Sequence, residues 1–549
     1  MNILFIMYDQ LRFDYLSCSG HPHLHTPNFD RVAARGVRFD RAYVQSPVCG
    51  ASRMSFYTGR YTSSHGATWN GYPLKVGEMT LGDHLRGAGM DAVLIGKTHM
   101  SVDAAGMARL GIAPDSMIGA RVSECGFDVW ERDDGLWAEG PDGFYDRRRS
   151  PYNEYLKALG YAAENPWHDH ANAGVDEAGD IASGFLMRHA HRPANIAEEH
   201  SETPWLTGRT IDFIESRRED PTPWCAHVSY IKPHWPYIVP APYHDMYGAR
   251  HVVPAVRSPG EREDPHPVFA AFMDGRIGRA FQRDDVREAV IPAYMGLVKQ
   301  CDDQLGRLLD YLAVTGQADD TMIVLTSDHG DYLGDHWLGE KDLFHDPSVR
   351  VPMIVMDPRA QADATRGTVC DALVEAIDLA ATFVEVAGAE VPEHILEGRS
   401  LLPWLRGETP EWRQAAISEY DYSSQPHART LGLPPRDCRL FMAATERWKF
   451  MHAEGGLRPM LFDLHDDPQE LTDRATDPAC APVLEEMYDH LHRWARRMSQ
   501  RTTISDAQIA ARRGASARRG ILLGVVDEGD VPEDWLVRYR GRAPGRPED

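Results

Sequence analysis

The chain has 549 residues, 43% of them hydrophobic and 26% charged, a globular composition that excludes disorder as the main state. Its 58 basic residues against 82 acidic ones leave a formal net charge of −24, which excludes a broad duplex-binding face and argues against a nucleic-acid partner. The length corresponds to about three or four domain equivalents, most of which one large α/β domain can absorb.

The N-terminus runs directly into an apolar segment, Ile3–Tyr8, with no basic leader and no small-residue cleavage site before it. Eight cysteines lie scattered from Cys18 to Cys480 without a C-x-x-C pair, which fits a reducing compartment. Apolar runs fall far short of the roughly 20 residues a bilayer requires. The expectation is a cytoplasmic protein with no membrane contact.

In chain order, Ile3–Tyr8 reads as a buried strand that delivers Asp9 and Gln10 at its end. Thr26-Pro27 opens a helix with Phe29, Val32 and Ala33 on one face, closed by Gly36. Thr80 caps a second helix that ends at Gly87 or Gly89. Ala92–Ile95 reads as a strand followed by Lys97-Thr98-His99. The stretch from 101 to about 200 has little periodicity and carries Trp130, Trp137, Tyr145, Tyr152 and Trp167. It reads either as a substrate-facing wall or as a surface excursion.

Trp224–Tyr230 and Met322–Thr326 read as further strands, leading into Lys232-Pro-His234 and Asp328-His329. Residues 370–388 read as a helix. From about 411 the pattern changes to short strands at Ala416–Tyr420, Leu440–Ala444 and Trp448–Met451, then a helix at about 483–498. The predicted architecture is a large α/β domain over residues 1–410, with a mixed, mostly parallel sheet between helices. A smaller α+β unit follows over 411–500, then a tail over 501–549. The tail's apolar Ile521–Val526, Trp535 and Leu536 have no obvious core to join, so a homo-oligomer contact is expected there. Its arginines at 512, 513, 518 and 519 read as a solvated or subunit-contacting face.

In open α/β sheets ligands bind beyond the carboxyl ends of the strands, so four strand ends with carboxylate, amide, imidazole and ammonium groups mark a site. The segment Ser46–Arg60 adds to it. Pro47 and Gly50 mark a loop entering a helix, where free N–H groups attract an anion, and Arg53 lies one turn beyond Cys49. The same surroundings would also favour a simple reactive thiolate.

These pieces, in this order, resemble the sulfatases of the alkaline phosphatase superfamily. The motifs are Asn2–Gln10, Thr26–Asp30, Cys49-Gly-Ala-Ser-Arg53 with Thr58-Gly59, Gly96-Lys-Thr-His99 and Pro233-His234. Ser327-Asp-His-Gly330, Gly334-Asp-His336, Lys341 and, near the C-terminus, Leu461–Leu464 with Asp467-Pro468 complete them. A five-residue C-x-A-x-R match is weak alone, whereas this ordered series is specific.

The resemblance implies that a maturation enzyme converts Cys49 to formylglycine, whose hydrated aldehyde attacks a small anionic ester and forms a covalent sulfo-enzyme. Ala51 stands where many members have proline, a variant within the family pattern. Asp9, Gln10, Cys49, Asp328 and His329 are the implied ligands of one divalent metal. Many sulfatases carry Asp in place of Gln10 and Asn in place of His329, a departure that resembles the choline-sulfatase and phosphonate monoester hydrolase branches. Fewer carboxylates and one imidazole shift the expected metal from Ca2+ toward Mn2+. Arg53, Lys97 and Lys341 are the implied cations, Lys341 and His234 the leaving-group acids, and His99 the base that expels sulfate. Asn70 is a candidate for binding ester oxygens.

Lys97-x-His99 favours an aryl or small alkyl sulfate, because phosphonate monoester hydrolases tend to carry Tyr and Thr there. Gln10, His329 and the tail motif Gly520–Gly524 with Pro532-Glu533 resemble the phosphonate monoester or phosphodiester hydrolases, the second reading. A non-catalytic binder, or thiolate chemistry at an unmodified Cys49, is a third. His21, His23 and His25 look metal-binding, but they lie in a loop before a capped helix with no evident partner ligand. His336 and His345 are expected to support Lys341 rather than to act directly.

Overall fold

A computed structural model describes residues 1–135, 150–499, 503–513 and 522–537. In the large sheet, β1 (Asn2–Asp9), β2 (Val37–Tyr43), β3 (Asp91–Gly96) and β4 (Asp128–Arg132) come from the first quarter of the chain. A two-stranded ribbon follows, β5 (Ala173–Val175) with β6 (Ile181–Ser183). Then come β7 (Trp224–Pro233), β8 (Thr321–Ser327), β9 (Met353–Met356) and β10 (Thr368–Glu375). The order across the eight strands is β10-β2-β9-β8-β1-β7-β3-β4. Every pair is parallel except those of β9, which runs antiparallel to β2 and β8.

The central strands are apolar on both faces because helices cover both. Along β1, Ile3, Phe5 and Met7 enter one core while Leu4, Ile6 and Tyr8 enter the other, the alternation that a pleated strand imposes. The second core is closed by the 31-residue helix Asp284–Val314, whose Val298, Cys301, Leu305, Leu308 and Leu312 follow the 3–4 spacing of a buried face. Helix α1 (Pro27–Arg35) starts at Thr26 and ends at Gly36, and a Cβ at Gly36 would lie 2.4 Å from the Val355 carbonyl oxygen. The helix Leu81–Gly87 is opened by a Thr80–Asp83 capping box.

The segment read as a helix over 370–388 is corrected. Its first part is β10, paired in parallel with β2 so that Leu373, Val374 and Glu375 are buried, and the helix begins only at Asp378. Asp378 accepts from the Glu375 amide and so stops the strand. The aromatic stretch also differs from both readings. Tyr152 and Trp167 are buried, and Tyr152 packs on Trp205 at 5.1 Å between centroids, so both are core residues. Trp130 is half-buried on β4, donating to the Arg209 carbonyl at 3.1 Å. Trp137, Tyr145, Arg518, Arg519 and Ile521 lie outside the described residues.

The smaller unit is a four-stranded antiparallel sheet of β11 (Ala416–Asp421), β12 (Arg439–Ala444), β13 (Trp448–Ala453) and β14 (Met460–Asp463). Ile417, Ala443, Phe450 and Leu461 face the helix Ala481–Ala495 through Met487 and Leu491. Tyr420, Met442, Met451 and Met460 join the first large core. Met1–Val391 with Leu396–Arg497 therefore forms one compact unit. Beyond it, the described tail holds two short helices, Asp506–Arg512 and Glu533–Leu536. No helix among the described residues is long and apolar enough to cross a membrane.

Candidate active site

Because β1, β3, β7 and β8 are parallel, their carboxyl ends lie on one edge, and each delivers a polar residue there. Asp9 ends β1, Lys97 follows β3, His234 follows β7, and Asp328-His329 follow β8. Helix α2 (Cys49–Thr58) starts at the same edge with Cys49 as its first residue, and all ten of its residues are buried. Asp9, Cys49, Asp328 and His329 each present a ligating atom, all mutually within 4.8 Å.

The donor set fits a divalent cation. His329 donates from Nδ1 to the Gly330 carbonyl at 2.9 Å, so Nε2, facing Cys49 Sγ at 3.0 Å, is the nitrogen that takes either a proton or a metal. Burial works against charge on that ring, yet Asp328 and Cys49 outweigh it and raise it to about 9. A field that holds a proton so firmly is one that attracts a cation. Gln10 directly follows Asp9, and its neutral side-chain oxygen Oε1 is buried without a hydrogen-bond partner. Gln10 itself is in the left-handed region (φ 67°), its amide donating to Asp328 Oδ1 at 3.1 Å.

Arg53 lies behind the carboxylates. It is fully buried and donates to Asp328 at 2.7 Å, Asp9 at 3.2 Å, Ser229 Oγ at 2.7 Å and the Lys97 carbonyl at 3.0 Å. Lys97 Nζ donates to Asp9 Oδ2 at 2.6 Å. Burial and Cys49 oppose the ionisation of Asp9, while Lys97, His234 and Arg53 overcome them and hold it below the usual carboxylate range.

Lys341 Nζ donates to Cys49 Sγ at 3.0 Å and to His234 Nε2 at 3.2 Å. His234 donates from Nδ1 to the Trp235 carbonyl at 2.8 Å, and burial pushes it down to about 4. The proton between these two groups therefore sits on Lys341. Burial raises the Cys49 thiol, but Lys341 and His329 reverse that and hold it well below its usual value.

Lys341 is carried on a stretch with six non-glycine residues at positive φ: Leu333, His336, Trp337, Glu340, Asp342 and Leu343. Such backbone persists only where the surroundings enforce it. His336 stacks on His345 at 3.7 Å and hydrogen-bonds Glu261 at 2.7 Å, and His345 Nδ1 bonds the Tyr332 hydroxyl at 3.1 Å. These histidines brace the loop. Asn70 Oδ1 accepts from the Gly50 amide at 2.7 Å, closing the start of α2 and leaving its NH2 group for a ligand.

His99 stands apart from these contacts. Its backbone is left-handed (φ 56°), its Nδ1 is buried without a partner, and no hydrogen bond joins it to Cys49 among the described residues. His21 turns inward on its own loop, its Nδ1 accepting from the amides of His23 and Leu24 at 3.3 and 3.0 Å. Ser229, Asp331 and Tyr237 contribute to the site without having been singled out in the sequence. Asp331 directly follows the Ser327–Gly330 motif, the signal that could have marked it.

Comparison with known proteins gives the family. The sequence model of the sulfatase family matches residues 1–389, and that of the C-terminal part of N-sulphoglucosamine sulphohydrolase matches 334–497. The chain is 30% identical to a multifunctional alkaline phosphatase superfamily protein of Trinickia caryophylli, covering 91% of this chain and 96% of that protein. It is 28% identical to an arylsulfatase of Clostridium perfringens, covering 86% and 89%. The structure of a phosphonate monoester hydrolase from Silicibacter pomeroyi superposes with a TM-score of 0.78 at 29% identity, covering 90% and 94%. With its model matching residues 1–389, more than half of the sequence, the chain belongs to the sulfatase family.

Proposed function

We propose that the protein is a metal-dependent hydrolase of sulfate esters, aryl or small alkyl, whose nucleophile is formylglycine made from Cys49. The observation that carries this reading is the position of Cys49. Its sulfur lies within the metal-capable group and 3.0 Å from an ammonium, Lys341. The sulfur stands where the oxygens of the hydrated aldehyde would lie. Such a diol supplies a hydroxyl for attack and a second hydroxyl for release of the anion.

Asp9, Gln10, Asp328 and His329 would hold the metal, which when bound lowers the pKa of a coordinated hydroxyl and polarises ester oxygens. Lys341 protonates the leaving oxygen, and neutral His234 orients the ammonium through Nε2. Lys97 offsets negative charge beside Asp9, Arg53 keeps both carboxylates ionised and in place, and the Asn70 NH2 group binds an ester oxygen. Expelling the anion requires an acceptor for the proton of the second hydroxyl, and His99, whose buried Nδ1 has no partner, is the candidate although no hydrogen bond joins it to Cys49 among the described residues. Cys49 is fully buried, so a maturation enzyme must act on it before the chain folds.

A second reading, phosphonate monoester or phosphodiester hydrolysis at the same site, is favoured by the similarity to the Silicibacter enzyme and by Gln10 and His329 among the ligands. Both ester types present a tetrahedral monoanion of similar shape. Rates on one aryl leaving group as sulfate, phosphodiester and phosphonate monoester, with metal-loaded enzyme, separate the two. A higher kcat/KM for the sulfate supports the first reading, and a higher value for the phosphonate replaces it with the second.

A further inference from the structure

We propose that Asp331 and Tyr237 are positioning residues that lock the Gln10 amide so that its carbonyl oxygen is presented as a metal ligand. This rests on the reading of Asp9, Asp328 and His329 as the other ligands. The amide nitrogen is committed: Nε2 donates to Asp331 Oδ2 at 2.5 Å and to the Tyr237 hydroxyl at 3.1 Å. Tyr237 in turn donates to the same Asp331 oxygen at 2.7 Å, and the Leu333 amide donates to Oδ1 at 2.9 Å. Three donors are thus aimed at the Asp331 carboxyl group.

The backbone of Gln10 is fixed as well. Its amide donates to Asp328 Oδ1 at 3.1 Å, and its carbonyl accepts from the Tyr294 hydroxyl at 2.7 Å. This holds the residue at φ 67°, a conformation that costs energy in a side-chain-bearing residue. Every polar atom of Gln10 is then paired except Oε1, which is buried without a partner. A buried carbonyl oxygen left unpaired is costly unless something binds it. Turning the amide over would place that oxygen against the Asp331 carboxylate and lose two hydrogen bonds. The neighbour thus decides which end of the amide faces the ligand group.

The arrangement also says where a charge has gone. A carboxylate at position 10 would ligate directly. Here the amide ligates and the carboxylate, Asp331, sits one hydrogen bond further out, polarising the amide carbonyl through its N–H. Partners of this kind change metal affinity by roughly 10–100-fold when removed.

The test is binding of Mn2+ alone and Ca2+ alone to the metal-stripped full-length chain by chelator competition. The proteins are the wild type, Asp331→Asn, Tyr237→Phe, Gln10→Ala and the Gln10→Ala/Asp331→Asn pair. Melting temperature in chelator reads folding separately. The expected result is about 10–100-fold weaker binding for Asp331→Asn, a smaller loss for Tyr237→Phe, and no further loss when Asp331→Asn is added to Gln10→Ala. Should Asp331→Asn not fold, Tyr237→Phe, which keeps the carboxylate and the packing, carries the test. Unchanged affinity in Asp331→Asn and Tyr237→Phe overturns the proposal, as does an equal loss with and without Gln10. A wild type that binds neither ion overturns the metal site itself, a failure distinguishable from the others.

Discussion

The ammonium of Lys341 lies 3.0 Å from the sulfur of Cys49, on a loop whose backbone is strained on both sides of it. That pairing places a proton donor beside the nucleophile position. A proton donor matters in proportion to how poor the leaving group is. Lys341→Ala is therefore expected to lower kcat/KM by about 10²–10⁴ for esters of weakly acidic alcohols and much less for nitrophenyl esters. Steady-state rates across phenols of graded acidity check this, and a loss independent of the leaving group would contradict it.

Arg53 bridges Asp9 and Asp328 with no exposed surface. Removing it leaves two buried carboxylates facing each other. Arg53→Ala is expected to cost about 3–5 kcal/mol without metal and clearly less with saturating Mn2+, because a cation then supplies the missing charge. Melting curves with chelator and with metal measure the difference, and equal losses in both would show that Arg53 does not support the ligand group.

Lys449 on β13 reaches from the small sheet into the large one. Its ammonium is buried and pairs with Asp346 and with Glu470 at 2.7 Å. Lys449→Met is expected to destabilise by about 3–5 kcal/mol, since buried Glu470 loses its cation and Asp346 is left with Arg350 alone. Urea unfolding should remain a single transition at lower midpoint. Two separated transitions would mean that the small sheet unfolds by itself.

His227 and His65 are buried as neutral rings, and burial pushes both down to about 3. His227 stacks on Phe5 at 4.5 Å and bonds the Tyr57 hydroxyl at 2.7 Å. His65 Nδ1 accepts the Ala67 amide at 3.1 Å, a bond that protonation would break. Above about pH 6.5, the unfolded value, neither state is protonated and their contribution is complete. As pH falls toward 3 the unfolded chain takes up protons first, and stability is lost by a few kcal/mol per ring. Melting temperature from pH 7 to pH 4 should fall, and fall less steeply in His227→Phe. Identical slopes would contradict the assignment.

In the tail, Leu523 and Val526 are 88% exposed. We propose that they meet a second copy of the chain, and Leu523→Asp with Val526→Asp should then reduce the assembly size on gel filtration. An unchanged elution would remove the tail from the interface.

The core of the sheet was legible because β1, β3, β7 and β8 are buried on both faces and read as largely apolar runs, with only His227 and Ser229 interrupting β7 before its polar end. The edge was not. Val37–Tyr43 carries two arginines and an aspartate among its apolar residues, and Met353–Met356 is only four residues long. Thr368–Glu375 owes its strand conformation to pairing with β2, a tertiary cause that local pattern does not carry. The helix Asp284–Val314 is buried around much of its circumference, so no single stripe announces it.

At the site, residue identity was legible and direction was not. Cys49, Asp9, Asp328 and His329 meet as their motifs imply. That Arg53 faces inward to the carboxylates, and that Gln10 answers to Asp331, depends on contacts between residues about 270 to 320 positions apart.

The account turns on what Cys49 becomes, and the mass of the peptide spanning Ser46–Arg60 from protein made in a maturation-competent host tests that most directly. The predicted result is a residue lighter than cysteine, having lost sulfur and two hydrogens and gained one oxygen. An intact thiol at Cys49 in protein that hydrolyses sulfate esters would contradict the account.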